Sequence, residues 1–219
     1  MIRLHHVPFS RSFRILWLLE EMGLSADLTL YSITDGSLRA GEFKAISPAG
    51  RVPALEIDGI TIYESAAIVE YLTETRPEHG LGRLPGDPER VQFLEWLGFA
   101  ETQAAALQSL NMHHLFMGDP TPASPVTLKL EAARLGATLK ALEGKLDRQE
   151  WLLSSGFSAA DTMLGFNLFA APYYVHLDRF PNVQAYMKRI EARPAYQRAR
   201  ALDGEQEFYK KDFYEVPNG

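Results

Sequence analysis

Short apolar runs of alternating strand and helix character occupy the first third of the chain. Residues 2–7 (IRLHHV) predict a strand, and residues 13–22 have the apolar density of a largely buried helix that ends before Gly23. Residues 28–33 (LTLYSI) predict a second strand. A strand, a helix and a strand in this order indicate a parallel pair joined by a right-handed crossover.

Two more strands and a helix follow a polar stretch that has a short helical possibility around residues 41–46. Residues 53–57 (PALEI) and 60–63 (ITIY) flank Asp58-Gly59, a dipeptide typical of a two-residue hairpin turn. Residues 65–75 then have apolar positions at helical spacing. The pattern therefore predicts a βαβ unit followed by a ββα unit.

A break in pattern comes at residues 76–89 (RPEHGLGRLPGDPE), which contain three prolines and three glycines. Beyond it the spacing predicts only helices, with an interruption at DPTPASP (119–125) and an aromatic coil at the end; the helices are expected at 87–116, 126–146, 158–175, 183–192 and 195–202. We expect an α/β domain over residues 1–76, a linker over 77–88 and an all-helical domain over 89–219.

Composition narrows the possible functions. The 219 residues are 46% apolar and 23% charged, which suits a globular protein, and the net charge of −6 argues against nucleic acid or an anionic membrane as partner. The chain has no cysteine, so a disulfide, a zinc thiolate site and a catalytic protein thiol are excluded. No apolar run approaches the ~18 residues of a membrane span, and no signal peptide is recognised, so a cytoplasmic location is expected.

Four motifs appear in order along the chain: PFSRSFRILWLLEE (8–21), SPAGRVPAL (47–55), YESAAIVEYL (63–72) and FSAADTML (157–164). Together they resemble the glutathione transferase family, most closely its serine-type branch from bacteria and fungi, over residues 2 to about 202. The resemblance implies a thioredoxin-like N-terminal domain, an all-helical C-terminal domain, a homodimer and a detoxifying transferase that uses glutathione as co-substrate and no metal.

The resemblance also implies a glutathione site. The Val52–Pro53 bond would be cis and would present the Val52 backbone to the extended peptide, while Glu64 and Ser65 would hold the γ-glutamyl ammonium and carboxylate. Many relatives have a basic residue after the Glu-Ser pair; this chain has alanine there, and Arg51 could compensate. On spacing alone, Pro53 could instead open an edge strand and Ser65 could cap the following helix.

The reacting thiol would come from glutathione. A free thiol has a pKa of about 8.5 and is mostly protonated at neutral pH, so the protein must stabilise the thiolate. A hydroxyl at a helix N-terminus can stabilise the thiolate. Ser10 and Ser12 both precede the first helix, and Ser10 matches the catalytic serine of the family. The alternative is that Ser10 only caps this helix, and which of the two serines activates the thiol stays open.

A second, apolar and electrophilic substrate would bind beside Ser10 between the domains, where glutathione would be conjugated to it or would reduce it. Its candidate residues are Phe9, Gln103, Leu107, Met112 and Phe116. Two rival functions remain: a glutathione-dependent isomerase of the same family, which would return the thiol unchanged, and a non-catalytic relative that acts as a regulatory or partner-binding module.

The remaining polar features suggest structure rather than chemistry. His5 and His6 are adjacent on a predicted strand, so their side chains should point to opposite faces and should not share a metal. Glu20 and Glu21 are expected on a solvated surface. Ser158, three residues before Asp161, predicts a capping box whose loss would lower stability rather than activity.

Overall fold

The computed structural model describes residues 1–117 and 124–216, which divide into two compact units. The first unit comprises Met1–Arg90 and Glu191–Gln206, and the second comprises Val91–Ile190 with the described residues from Glu207 onward. A four-stranded sheet with flanking helices forms the first unit, and helices form the second. The predicted fold class, a thioredoxin-like domain followed by a helical one, is confirmed.

Four strands and three helices make up the N-terminal part of the first unit. They are β1 (Arg3–His6), α1 (Phe13–Glu21), β2 (Asp27–Leu30), α2 (Gly41–Ile46), β3 (Ala54–Ile57), β4 (Ile60–Tyr63) and α3 (Ser65–Thr75). Their order is the predicted βαβ and ββα arrangement. The largest difference is β2, which ends three residues before the predicted end.

The sheet has the strand order β2-β1-β3-β4. β1 and β2 are parallel, whereas the β1–β3 and β3–β4 pairs are antiparallel. One row of the register joins His5 of β1 to Ala54 of β3 and Ala54 to Tyr63 of β4. The end of β1, the start of β3 and the end of β4 therefore lie at the same end of the sheet.

The turn between β3 and β4 is the predicted hairpin. Asp58 and Gly59 have φ values of 53° and 78°, and the flanking Ile57 and Ile60 are paired. Two successive positive φ values are the signature of a type I′ turn, which Asp-Gly adopts readily. Arg76 donates a hydrogen bond to the Asp58 carboxylate at 2.7 Å, which is the main reason that the pKa of this carboxyl lies below its usual value.

The remaining helices are α4 (Arg90–Asn111), α5 (Pro125–Leu146), α6 (Ala159–Ala170), α7 (Pro181–Glu191) and α8 (Pro194–Asp203). A π-helical turn extends α4 over Met112–Phe116. Most of the predicted interruption at 119–125 lies outside the described residues, and α5 begins at Pro125 behind a Ser124 cap. None of the helices within the described ranges combines the length and apolarity that a bilayer crossing requires.

Helix α8 belongs to the first unit and packs on α1. The Tyr196 ring meets Phe13 and Trp17 edge-on, with centroid distances of 5.5 and 5.0 Å. Arg193 donates two hydrogen bonds to the Glu21 carboxylate, at 2.7 and 2.8 Å. Glu20 similarly accepts from the Arg198 side chain at 2.8 Å. The expectation that both glutamates are merely solvated was wrong, because each anchors α8.

The capping box at the start of α6 is confirmed. The Asp161 carboxylate accepts from the Ser158 N–H at 2.7 Å and from the Ser158 hydroxyl at 3.1 Å, and its other oxygen accepts from the Leu152 N–H and the Tyr186 hydroxyl. The side chain is fully buried, and this burial raises its pKa to about 6 although the hydrogen bonds act in the opposite direction.

Candidate active site

The sheet register brings three of the predicted site segments to one end of the sheet. The segment with Ser10 follows β1, Val52 and Pro53 precede β3, and Glu64 and Ser65 follow β4. Because His5, Ala54 and Tyr63 form one row, each of these segments leaves or enters the sheet at the same edge. The register of the first unit's sheet thus gathers residues that are far apart in sequence.

The two candidate serines have different surroundings. Ser10 is half-buried, whereas Ser12 has no exposed surface. The two hydroxyl oxygens are 2.9 Å apart, and the Ser10 oxygen also accepts the Ser12 N–H at 3.3 Å. Ser12 Oγ contacts His6 Nδ1 at 2.8 Å and accepts the Val7 N–H at 3.2 Å. Ser12 is therefore an interior residue whose hydroxyl is engaged within the first unit.

His6 links this pair to the C-terminal end of α8. Its Nε2 lies 3.1 Å from a carboxylate oxygen of Asp203 and 3.2 Å from the Asp203 carbonyl oxygen. The same carboxylate accepts from the Phe9 N–H at 3.2 Å and from Arg200 at 2.7 Å. His6 and Asp203 are both fully buried. The loop that carries Ser10 is thus tied to α8 by the Asp203 carboxylate.

Close packing brings the loop before Ser10 against the residue that follows α8. A Cβ added to Gly204 would lie 3.1 Å from the Pro8 ring, which is a tight contact. Gly204 also has a φ of 101°, a conformation that strains the backbone of any residue with a side chain. Phe9 has a φ of 53°, which is unusual for an aromatic residue, and the Arg200 guanidinium lies 5.0 Å from its ring centre.

The segment before β3 has the geometry that the family resemblance implied. The Val52–Pro53 peptide bond is cis. Among the described residues, neither the N–H nor the C=O of Val52 has a hydrogen-bond partner. Arg51 is exposed, and its backbone N–H and C=O both engage the Ser47 hydroxyl. Val52 therefore retains free backbone groups of the kind that pair with an extended peptide.

The junction of β4 and α3 has an unusual backbone. Glu64 has a φ of 72°, which costs conformational energy for a residue with a side chain, and such positions cluster at functional sites. Its carboxylate is exposed and has no partner among the described residues. Ser65 is buried at the first position of α3, where backbone N–H groups favour an anion. A carboxylate and an anion-attracting helix end are thus adjacent.

The candidate electrophile residues lie in different parts of the chain. Phe9 belongs to the first unit, and the other four belong to the second. Gln103 is fully buried and donates to the Thr138 hydroxyl at 3.1 Å, and Leu107 is also buried. Met112 is 44% exposed, and Phe116 packs edge-on against Phe208 at 5.6 Å. That these residues bind the electrophile stays a prediction.

An aromatic cluster in the second unit includes the predicted coil at the end of the chain. The Tyr173 and Tyr209 rings stack 4.0 Å apart, and Asn111 accepts hydrogen bonds from the hydroxyls of Tyr174 and Tyr209, at 2.6 and 3.1 Å. Burial raises the pKa of both of these tyrosines, so their hydroxyls stay protonated and donate. Burial also lowers the pKa of His114, whose ring lies 5.6 Å from that of Tyr174.

Sequence reasoning missed His6 and Asp203 as parts of the site. The two histidines do face opposite sides of β1, since His5 contacts Glu56 and Tyr31 instead. Nothing in the sequence connects His6 to a residue 197 positions later. Within residues 1–117 and 124–216, no group of three or more potential metal-ligating side chains is arranged to hold a metal ion.

Comparison with known proteins identifies the protein family to which the chain belongs. The model for the N-terminal domain of glutathione S-transferase matches residues 9–75, and the model for its C-terminal domain matches residues 109–194. Glutathione S-transferase 3 of Schizosaccharomyces pombe is 30% identical over 89% of this chain and 85% of its own length. The chain belongs to the glutathione S-transferase family.

Two further relatives bear on function. Maleylacetoacetate isomerase of Rattus norvegicus is 32% identical over 75% of each chain. The glutathione transferase URE2P6 from Phanerochaete chrysosporium, solved in complex with oxidized glutathione, superposes with a TM-score of 0.83 at 25% identity, over 93% of this chain and 97% of that one. The family therefore includes an isomerase and a structure with bound glutathione.

Proposed function

We propose that this glutathione transferase joins the glutathione thiol to an apolar electrophile and that Ser10 stabilises the reacting thiolate. The observation that carries the proposal is the register row of His5, Ala54 and Tyr63, because it collects the Ser10, Val52 and Glu64-Ser65 segments at one end of the sheet. A short extended peptide could contact all three segments at once.

The proposed recognition of glutathione uses the Val52 backbone and the Glu64 carboxylate, which have no partner among the described residues, together with Ser65 and Arg51. The Val52 backbone pairs with the peptide, as an added strand would. The exposed Glu64 carboxylate accepts the γ-glutamyl ammonium, and Ser65 with the N-terminus of α3 receives the γ-glutamyl carboxylate. Arg51, next to Val52 and exposed, supplies positive charge in place of the basic residue that Ala66 replaces.

The difference in burial supports Ser10 as the residue that meets the thiol. An incoming sulfur can reach the half-buried Ser10 hydroxyl, whereas Ser12 is fully enclosed and already hydrogen-bonded. Lowering a thiol pKa by ~2 units requires under ~3 kcal/mol, since one unit corresponds to about 1.4 kcal/mol. A charge-assisted hydrogen bond and the start of α1 can supply that amount together.

The resulting thiolate attacks an electrophilic carbon and a sulfur–carbon bond forms. In a substitution the bond to the displaced group breaks and that group leaves with the electron pair; in an addition to a double bond the π electron pair moves to the neighbouring atom, which is then protonated. The protein contributes orientation and charge stabilisation. Phe9, Gln103, Leu107, Met112 and Phe116 are the proposed contacts of the apolar substrate, and a homodimer is the proposed assembly.

The decisive measurement is the ultraviolet absorbance of the bound thiolate as a function of pH, for the wild type and for Ser10→Ala. We expect Ser10→Ala to raise the bound thiol pKa by ~1–2 units, because the charge-assisted hydrogen bond is lost. S-methyl glutathione is the control ligand, and its affinity should be unchanged because it has no ionisable thiol. An unchanged thiol pKa would refute the role of Ser10.

An isomerase is the second candidate, favoured by the 32% identity to maleylacetoacetate isomerase. Product analysis separates the two, because an isomerase consumes no net glutathione. If calorimetry detects no glutathione binding at all, both enzymatic proposals fail and a non-catalytic, partner-binding role is favoured.

A further inference from the structure

A continuous hydrogen-bonded chain runs from the half-buried Ser10 into the interior of the first unit. Its links are Ser10 Oγ to Ser12 Oγ at 2.9 Å, Ser12 Oγ to His6 Nδ1 at 2.8 Å, and His6 Nε2 to the Asp203 carboxylate at 3.1 Å. Beyond Ser10, every member of this chain is fully buried. Such a chain connects the proposed thiolate site to a buried titratable side chain.

The positions of the hydrogens follow from the available partners. Among the residues that the structure describes, His6 Nε2 faces only acceptors, the carboxylate and the carbonyl oxygen of Asp203, so Nε2 carries a hydrogen. In the neutral imidazole, Nδ1 is then an acceptor and takes the hydroxyl hydrogen of Ser12 at 2.8 Å; the other acceptor near this hydroxyl, the Val7 carbonyl oxygen, is farther away at 3.3 Å. Ser12 Oγ in turn accepts from Ser10, so the resting Ser10 hydroxyl points inward.

This orientation creates a conflict with the proposed role of Ser10. A hydroxyl that donates to Ser12 cannot donate to a thiolate at the same time, because it has only one hydrogen. If the chain reverses, with His6 Nδ1 donating to Ser12 and Ser12 donating to Ser10, the Ser10 hydrogen becomes available for the sulfur. Reversal requires one additional proton, and it must come to rest on Nδ1.

We propose that His6 takes up the proton of the glutathione thiol through Ser10 and Ser12, an inference that rests on the proposed role of Ser10. The S–H bond breaks as its proton passes to Ser10 Oγ, the Ser10 hydrogen passes to Ser12 Oγ, and the Ser12 hydrogen passes to His6 Nδ1. The products are a thiolate and an imidazolium, so charge and atoms balance. The reversed chain leaves Ser10 donating to the thiolate.

The surroundings of His6 suit an imidazolium. Asp203 presents its carboxylate to Nε2, and a buried cation needs such a partner. Arg200 and the Phe9 N–H also donate hydrogen bonds to this carboxylate. These bonds fix the position of the carboxylate, and Arg200 neutralises part of its negative charge. The other nearby titratable pair, His5 with Glu56, lies on the opposite face of β1. In this proposal Ser10 touches the substrate, whereas Ser12 and His6 act through Ser10 and are positioning residues.

Counting the protons released on glutathione binding tests the proposal. Titration calorimetry at pH 7.5 in buffers of different ionisation enthalpy gives this number, and absorbance gives the fraction of thiolate formed. For the wild type we expect thiolate formation with almost no net proton release, since the proton stays on the protein. For Ser12→Ala, which cuts the chain but keeps the His6–Asp203 pair, we expect about one proton released per thiolate formed.

His6→Asn is a second variant that removes the proton acceptor, and it should also release about one proton per thiolate formed. His5→Asn is the matched control, because it changes a buried histidine of the same strand whose hydrogen bonds, among the described residues, go to Tyr31 and Glu56 and not to Ser12. It should retain the wild-type proton count. If His6→Asn does not fold, the Ser12→Ala result still decides the matter.

The outcomes separate this inference from the proposed function. A wild type that forms the thiolate but releases about one proton for each would overturn the role of His6 and leave Ser10 intact. Equal proton counts in the wild type and Ser12→Ala would overturn it as well. Absence of any thiolate signal in the wild type would instead refute the proposed thiolate mechanism, and the inference would fall with it.

Discussion

Glu64 shows how a single residue can combine a strained backbone with an available charge. Its φ of 72° falls in a region that residues with side chains rarely occupy, and its carboxylate has no partner among the described residues. A structural role alone would favour glycine at this position, because glycine adopts such a conformation without steric cost. The observation agrees with a binding role for the carboxylate.

Glu64→Gln should weaken glutathione binding about fivefold, the loss expected for one solvent-screened, charge-assisted contact of about 1 kcal/mol. Calorimetry should detect this loss with glutathione. An analogue without the α-ammonium group is the control, because it cannot make the contact and should bind the wild type and the variant alike. The same loss with both ligands would contradict the proposed pairing.

At the scale of elements, α8 belongs to the first unit because it packs against α1. Tyr196 packs on Phe13 and Trp17, and Arg193 binds Glu21 in a bidentate arrangement. The end of α8 carries Asp203, which holds both His6 and the Phe9 backbone. A helix near the end of the chain thus helps to shape the loop that carries Ser10.

Glu21→Gln should lower the free energy of unfolding by about 1–2 kcal/mol, because a mostly buried carboxylate loses its ion pair with Arg193. Glu20→Gln is the matched control: its partner Arg198 is 55% exposed, and the expected loss is under about 0.5 kcal/mol. Denaturant titration measures both. Equal losses would argue against a special role of the Glu21 pair.

For the whole molecule, the division into two units separates the capping box of α6 from the proposed glutathione site. The residues proposed to bind glutathione belong to the first unit, whereas the buried capping box of Ser158 and Asp161 belongs to the second. Changes at the capping box should therefore alter the stability of the protein and leave the glutathione affinity of the folded molecules unchanged.

Asp161 should make stability depend on pH. Its pKa is about 6 in the folded protein and near the usual 3.8 when unfolded, so between these values the folded state binds more protons. The free energy of unfolding must then fall as the pH rises through this window, by about 3 kcal/mol at most. The stabilisation of the folded state by protonated Asp161 is fully present below pH 3.8 and is lost above pH 6.

Comparison with Asp161→Asn isolates this contribution, because the other carboxylates are common to both proteins. The difference in unfolding free energy between wild type and variant should shrink as the pH rises from 4 to 7. Chemical denaturation at each pH measures it. A difference that stays constant or grows would show that Asp161 does not titrate in this way.

Much of the fold follows from local patterns in the sequence. The Asp58-Gly59 turn, the α3 boundaries at Ser65 and Thr75 and the Ser158 capping box were all predicted, since each depends on residues within a few positions of one another. Strand ends were predicted less well, because the extent of β2 depends on pairing with β1 and not on its own residues.

The sequence by itself determined the elements, their order, the absence of a protein thiol and the family resemblance that singled out Ser10, Val52 and Glu64-Ser65. Only the tertiary structure decided which side chains meet across long sequence distances. The register of the sheet gathers the segments of the proposed site, and the packing of α8 on α1 brings Asp203 to His6, which in turn contacts the buried Ser12. Such contacts depend on packing between distant elements, which local periodicity does not encode.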